Sequence, residues 1–136
     1  MKDSDFVKLS FGRCLNQTDI IGRFYQIFLD SHPDIRPMFA NTNFEVQKGL
    51  LRQGINLALM FADDNPVGKS GLARIRESHG KKNLNIRPEL YSYWKRSFMQ
   101  AISECDNEYS PEIRAHWDRI LQKAIDYIIS GYDEQA

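Results

Sequence analysis

Apolar residues recur along this chain at the three- and four-residue spacing of helices, and no run alternates as a half-buried strand would. From about Ser4 to Leu15 the spacing gathers Val7, Phe11, Cys14 and Leu15 on one face. Thr18 is placed to cap a second helix, with Asp19 in the first turn, where a negative charge suits the helix dipole. Its buried stripe is Ile20, Ile21, Phe24 and Phe28, and Tyr25 shares that broad face. Pro33 opens a short helical turn ending near Phe39, and Ala40 to Asn43 reads as a corner.

A long helix follows from about Phe44 to Ala62, with Gln47, Leu50, Leu51, Gly54, Ala58 and Leu59 facing inward. Gly49 and Gly54 each cost about 1 kcal/mol of helix propensity, which predicts that something approaches this helix closely. Asp63-Asp64-Asn65-Pro66 breaks it. A shorter helix, about Ser70 to His79, carries Leu72, Ile75 and His79 on one side. Gly80 to Arg87 is a polar corner interrupted by Leu84 and Ile86. Pro88 starts an amphipathic helix with Leu90, Tyr91, Trp94, Phe98, Ala101, Ile102 and Cys105 inward. Ser110-Pro111-Glu112 is a cap-and-proline start for the last helix, whose stripe runs from Ile113 through Trp117 and Leu121 to Ile128. The pattern predicts a single all-α domain over 1–136, with six main helices and one short one.

Composition narrows the function classes. A chain of 136 residues needs no disulfide or metal staple merely to fold. Eighteen basic and eighteen acidic residues cancel, which removes the electrostatic reason to expect nucleic acid or an anionic membrane as partner. The two cysteines, Cys14 and Cys105, sit on apolar faces and read as buried free thiols. No segment resembles a signal peptide or a membrane span, so the expected location is cytoplasmic, and the length leaves no room for a second catalytic module. Aromatic residues reach 12%, which suits plain core packing or the lining of a pocket for a flat apolar ligand.

Few residues carry chemistry. Gly68-Lys69-Ser70 looks like the end of a phosphate-binding loop, but the upstream glycine is replaced by Asp63 and no strand precedes it. Of the three histidines, His32 reads as a surface or capping residue beside Pro33, and His116 as half-exposed beside Trp117. His79 continues an apolar stripe, as either a hydrogen-bonded core histidine or a metal ligand.

Read with its surroundings, the chain resembles a globin over almost its whole length, most of all bacterial single-domain globins and the haem domain of flavohaemoglobins. The resemblance rests on Phe24-Tyr25 followed by Phe28, on His32-Pro33 and Phe39, and on Gln47 with Leu51 four residues on. It continues through Leu72-Ala73 and His79, Ile86-Arg87-Pro88-Glu89 with Tyr91, and Ala115 with Trp117. It implies a three-over-three helical fold around a haem b pocket. His79 would be the iron ligand, its second ring nitrogen donating to a carbonyl one turn back or bonding Ser78. Phe28, Phe39, Leu51, Ile86, Tyr91 and Trp94 would be the walls, and Tyr25, Gln47 and Leu51 the distal side. Dioxygen bound there gathers negative charge, so a Tyr25 hydroxyl would favour it over carbon monoxide.

Two features depart from the flavohaemoglobin pattern. The corner between His79 and Pro88 is two residues longer. Where that family carries a glutamate late in the last helix, counting from Trp117 reaches Tyr132, with Asp126, Asp133 and Glu134 the nearest acids. A carboxylate on the proximal imidazole supports peroxidase-like chemistry, so its loss weakens that expectation. Arg74, Arg76, Lys81, Lys82 and Arg87 form a basic cluster that is a solvated face, a neutraliser of propionates or a dock for an acidic reductase. The leading expectation is a monomeric or homodimeric protein that reversibly binds dioxygen, nitric oxide or carbon monoxide for storage, delivery or sensing. The alternatives are a nitric-oxide dioxygenase served by an external reductase, and a haem-free signalling module.

Overall fold

The computed structural model describes residues 1–133. Among them lie α1 (Asp3–Gln17), α2 (Ile20–Leu29), α3 (Ile35–Met38), α4 (Phe44–Ala62) and α5 (Pro66–Ser78), then a 3₁₀ turn (Pro88–Leu90), α6 (Tyr91–Cys105) and α7 (Pro111–Ser130), with no strand. The helices pair as α1 on α7, α2 on α6 and α4 on α5, and α7 also supports α4 and α5. Among the described residues, no helix is long and apolar enough to cross a membrane.

Local chemistry sets the helix starts. Asn43 accepts hydrogen bonds from Glu45 N and Val46 N, and Ser110 accepts one from Ile113 N ahead of Pro111. Two expected starts are corrected. Asp19, not Thr18, caps α2 by accepting from Gly22 N at 3.0 Å; the Thr18 hydroxyl instead donates to Cys105 Sγ. The helix expected from Ser70 begins at Pro66, because Asn65 caps Val67 N and the proline needs no donor at the first position. Asp64, with φ 58°, makes the reversal between α4 and α5.

The core is an aromatic spine. Phe24 meets Phe28, Trp94 and Phe98 at centroid distances of 5.1, 5.5 and 5.5 Å, and Phe98 continues to Trp117 at 5.5 Å. Cys14 and Cys105 are free and buried between α1 and α6, and burial beside Cys105 pushes the Cys14 thiol up to about 12. Leu50 is the exception among the expected inward residues: it is 55% exposed, because α4 turns that edge away from its helical neighbours.

One buried ionic network locks α1 to the end of α6 and to α7. Trp117 Nε1 donates to Ser10 Oγ, which donates to Asp106 at 2.6 Å, and Arg13 clamps the same carboxylate through two nitrogens. Burial pushes the Asp106 carboxyl up, but the bonds from Arg13, Ser10 and Glu108 N together hold it below its ordinary value. Asp3 is held down to about 2 by hydrogen bonds from Arg119 and His116.

Both groups are depressed in the folded state, so their stabilisation is complete above the unfolded carboxylate value of about 4 and is lost as pH falls through the folded values. Urea midpoints are therefore expected to fall steeply below about pH 4. Asp106→Ala is expected to remove about 3 kcal/mol at pH 7, by leaving the Arg13 charge and the Ser10 hydroxyl without their partner. Its midpoint should then fall less steeply with acid.

Candidate functional site

Helices α4 and α5 meet over glycines near the turn that joins them. A Cβ on Gly68 would lie 2.5 Å from Phe61 N, and one on Gly71 would lie 2.5 Å from Leu57 Cδ2. At Gly54 and Gly49 a Cβ would find no atom within 4 Å. The close approach expected at the α4 glycines is thus made by the α5 glycines instead. The pair is tight beside the turn, nothing crowds Gly54 further along α4, and α5 runs from the turn to end at Ser78, with His79 as its cap.

The face of α4 beyond the contact carries Gln47, Leu51 and Gly54 at helical spacing. Gln47 Nε2 donates to Tyr25 Oη at 3.1 Å, joining α4 to α2. Tyr25 is only 5% exposed, so its hydroxyl needs such a partner. Burial raises the phenol above its ordinary value, with the Gln47 bond working in the other direction, and Tyr25 stays protonated at neutral pH. Because Gln47 supplies the hydrogen, the Tyr25 hydroxyl keeps its own hydrogen for another acceptor.

His79 caps the C-terminus of α5 and is half-buried. Ser78 Oγ lies 3.0 Å from His79 Nδ1 and itself donates to the Ile75 carbonyl. Burial holds the imidazole below its ordinary value, and the Ile75 carbonyl works against that. The ring is neutral at pH 7, with Nδ1 engaged and Nε2 without a hydrogen-bond partner among the described residues.

The other expected residues divide into core and rim. Phe28 is buried against Phe24 and Phe39, and Trp94 stacks on Phe98 at 5.3 Å, so both also serve the spine. Phe39 and Leu51 are half-buried against the core, and Phe39 lies 5.9 Å from the Tyr25 ring. Tyr91 is half-buried at the start of α6, where burial raises its phenol. Ile86 ends the corner, and its N–H donates to the His79 carbonyl at 3.1 Å.

Phe44 was not among the expected residues. It is the first residue of α4, and its ring meets Tyr25 at 5.4 Å and 72°. Its spacing of three from Gln47 was the available signal.

The long corner is folded back on α5. Leu84 N donates to the Ser78 carbonyl, Lys81 N to the Tyr132 carbonyl, and the Tyr132 hydroxyl to Asn85, which takes a left-handed φ of 53°. Tyr132 therefore braces the corner, and among the described residues no carboxylate bonds His79. Glu134 lies outside the described residues. The basic cluster is dispersed: Arg87 pairs with Asp34 at 2.6 Å, and Arg76 lies over Tyr127, while Arg74, Lys81 and Lys82 are exposed. His32 Nδ1 accepts from Asp34 N, and His116 stacks on Phe6.

Comparison with known proteins agrees with this architecture. Residues 22–128 match the globin family, and the chain belongs to it. It is 28% identical over 101 residues to an uncharacterized globin-like protein of Aquifex aeolicus, across 74% of this chain and 70% of that one. It superposes with a TM-score of 0.92, at 37% identity over 96% of this chain and 98% of the other, on a crystal structure from Pseudomonas aeruginosa PAO1 described as structurally highly homologous to a human hemoglobin.

The glycine geometry makes opposite predictions on the two helices. Gly68→Ala is expected to cost about 1–3 kcal/mol, since backbone rather than a flexible side chain blocks the methyl. Gly54→Ala should instead stabilise the fold by about 1 kcal/mol through helix propensity. Urea unfolding of both variants measures the difference.

Proposed function

We propose that this globin holds haem b between α4 and α5 and reversibly binds a diatomic gas, foremost dioxygen. The observation that carries the reading is the pairing of two differently prepared sites: a neutral imidazole with Nε2 available on α5, and a buried hydroxyl with a hydrogen to donate beside α4.

The residues fit the group. Among the described residues, no set of three or more His, Cys, Asp and Glu side chains is grouped to hold a metal ion, and in this reading a macrocycle would supply the ligands that His79 does not. Gly54 leaves room on the α4 face, and Leu51 is half-buried about one turn away on the same helix. Both cysteines are buried between α1 and α6, which favours the noncovalent haem b over a thioether-linked form.

When bound, haem supplies an iron with an open coordination position for a small gas. The chain supplies selectivity. The Tyr25 hydroxyl, oriented by the Gln47 amide, donates to a ligand that carries negative charge and gives little to one that does not. Ser78 and the Ile75 carbonyl hold the His79 ring in one tautomer. Serine at Nδ1 draws less electron density toward a metal than a carboxylate would, which supports reversible binding over peroxidase-like chemistry. A role in storage, delivery or sensing, in the cytoplasm, is the physiological setting this reading favours.

Tyr25→Phe is expected to speed dioxygen dissociation about 10- to 100-fold with a much smaller effect on carbon monoxide, measured by stopped-flow displacement. His79→Gly should abolish the Soret band that the unaltered protein develops with hemin. A Tyr25→Phe protein that releases dioxygen at the unaltered rate would remove the distal role.

A further inference from the structure

We infer that Phe44 is a positioning residue for the Tyr25 hydroxyl, fixing the ring while Gln47 fixes the oxygen. The inference rests on the gas-binding reading for its consequence but on separate contacts for its geometry. The Tyr25 ring lies against three phenyl rings: Phe24 at 4.9 Å, Phe44 at 5.4 Å and Phe39 at 5.9 Å, all in edge-to-face arrangement. Phe24 belongs to the spine with Phe28, Trp94 and Phe98, so it is committed to the core. Phe44 makes ring contacts with Tyr25 and Phe39 and with no other ring among the described residues.

Phe44 and Gln47 stand one turn apart at the start of α4, a turn held by the Asn43 side chain on Glu45 N and Val46 N. The same helical turn therefore presents a ring, set nearly perpendicular, to the phenol's body and an amide to its oxygen. A tyrosine hydroxyl sits at the far end of a ring that swings about two side-chain bonds, so a small tilt displaces it along an arc. The Gln47 bond restrains only the oxygen, and a single hydrogen bond tolerates a broad range of angles. The Phe44 edge removes that freedom.

Phe44→Leu keeps an apolar side chain but removes the ring edge, and Phe44→Tyr keeps it. In Phe44→Leu, dioxygen dissociation is expected to rise about 3- to 10-fold while carbon monoxide release stays unchanged. In Phe44→Tyr both rates should remain near those of the unaltered protein. A second readout does not depend on gas binding. Carbon-13 labelling of tyrosine, with nuclear magnetic resonance relaxation of the purified protein, should show the order parameter of the Tyr25 ring falling in Phe44→Leu but not in Phe44→Tyr. The inference is overturned if Phe44→Leu leaves the order parameter of the Tyr25 ring unchanged. It is overturned equally if dioxygen release stays put in Phe44→Leu while Tyr25→Phe accelerates it. Should Tyr25→Phe itself have no effect, the gas-binding reading falls, and the order parameter of the Tyr25 ring alone decides the role of Phe44.

Discussion

Two glycines on α5 let its backbone settle directly against α4, and the site follows from where that contact falls. At Gly68 the missing Cβ allows an approach to the Phe61 backbone that a methyl would block, and at Gly71 it leaves space that the Leu57 side chain fills. The contact lies beside the turn at Asp64, so the helices are pinned near that end. Space remains at Gly54, further along α4 toward its start. The wall bearing Gln47 and Leu51 and the helix end bearing His79 belong to the two arms of this pinned pair.

The polar chemistry of the arms differs in kind from that of the scaffold. Far from the site, Asp106 is buried as an anion and needs Arg13, Ser10 and a backbone amide to be tolerated there. The site uses neutral groups: a phenol satisfied by an amide, and an imidazole satisfied by a hydroxyl. Neutral pairs cost less to desolvate and leave a hydrogen or a lone pair to offer.

Rigidity on the His79 side comes from an unexpected quarter. The corner holds the left-handed Asn85, and Tyr132 bonds it while its carbonyl takes Lys81 N. Tyr132 thus serves to brace the loop that follows His79. With Arg87 tied to Asp34 and Glu89, and Arg76 lying over Tyr127, most of the arginine charge near the corner is spent within the chain.

Helix identity was legible wherever one face was covered by neighbours along its length. The stripes of α2, α6 and α7 are buried much as their spacing predicts, because a helix packed on one side must be apolar on that side. The pattern misled where side chains had local choices. Thr18 and Asp19 are both good caps, and only the path of the chain assigned the role to Asp19. Leu50 reads as inward by type and spacing, yet no helix lies over it. Phe44 looked like an ordinary helix start because its partner, Tyr25, is on another helix.

The sequence by itself determined the all-helical class, the order of the elements and the residue types able to donate or ligate. These depend on interactions within a few residues and on one-dimensional periodicity. The tertiary structure alone decided that Gln47 meets Tyr25 and that glycines on α5, rather than those on α4, make the close contact between these two helices. Those outcomes depend on distances between helices, which no local spacing encodes.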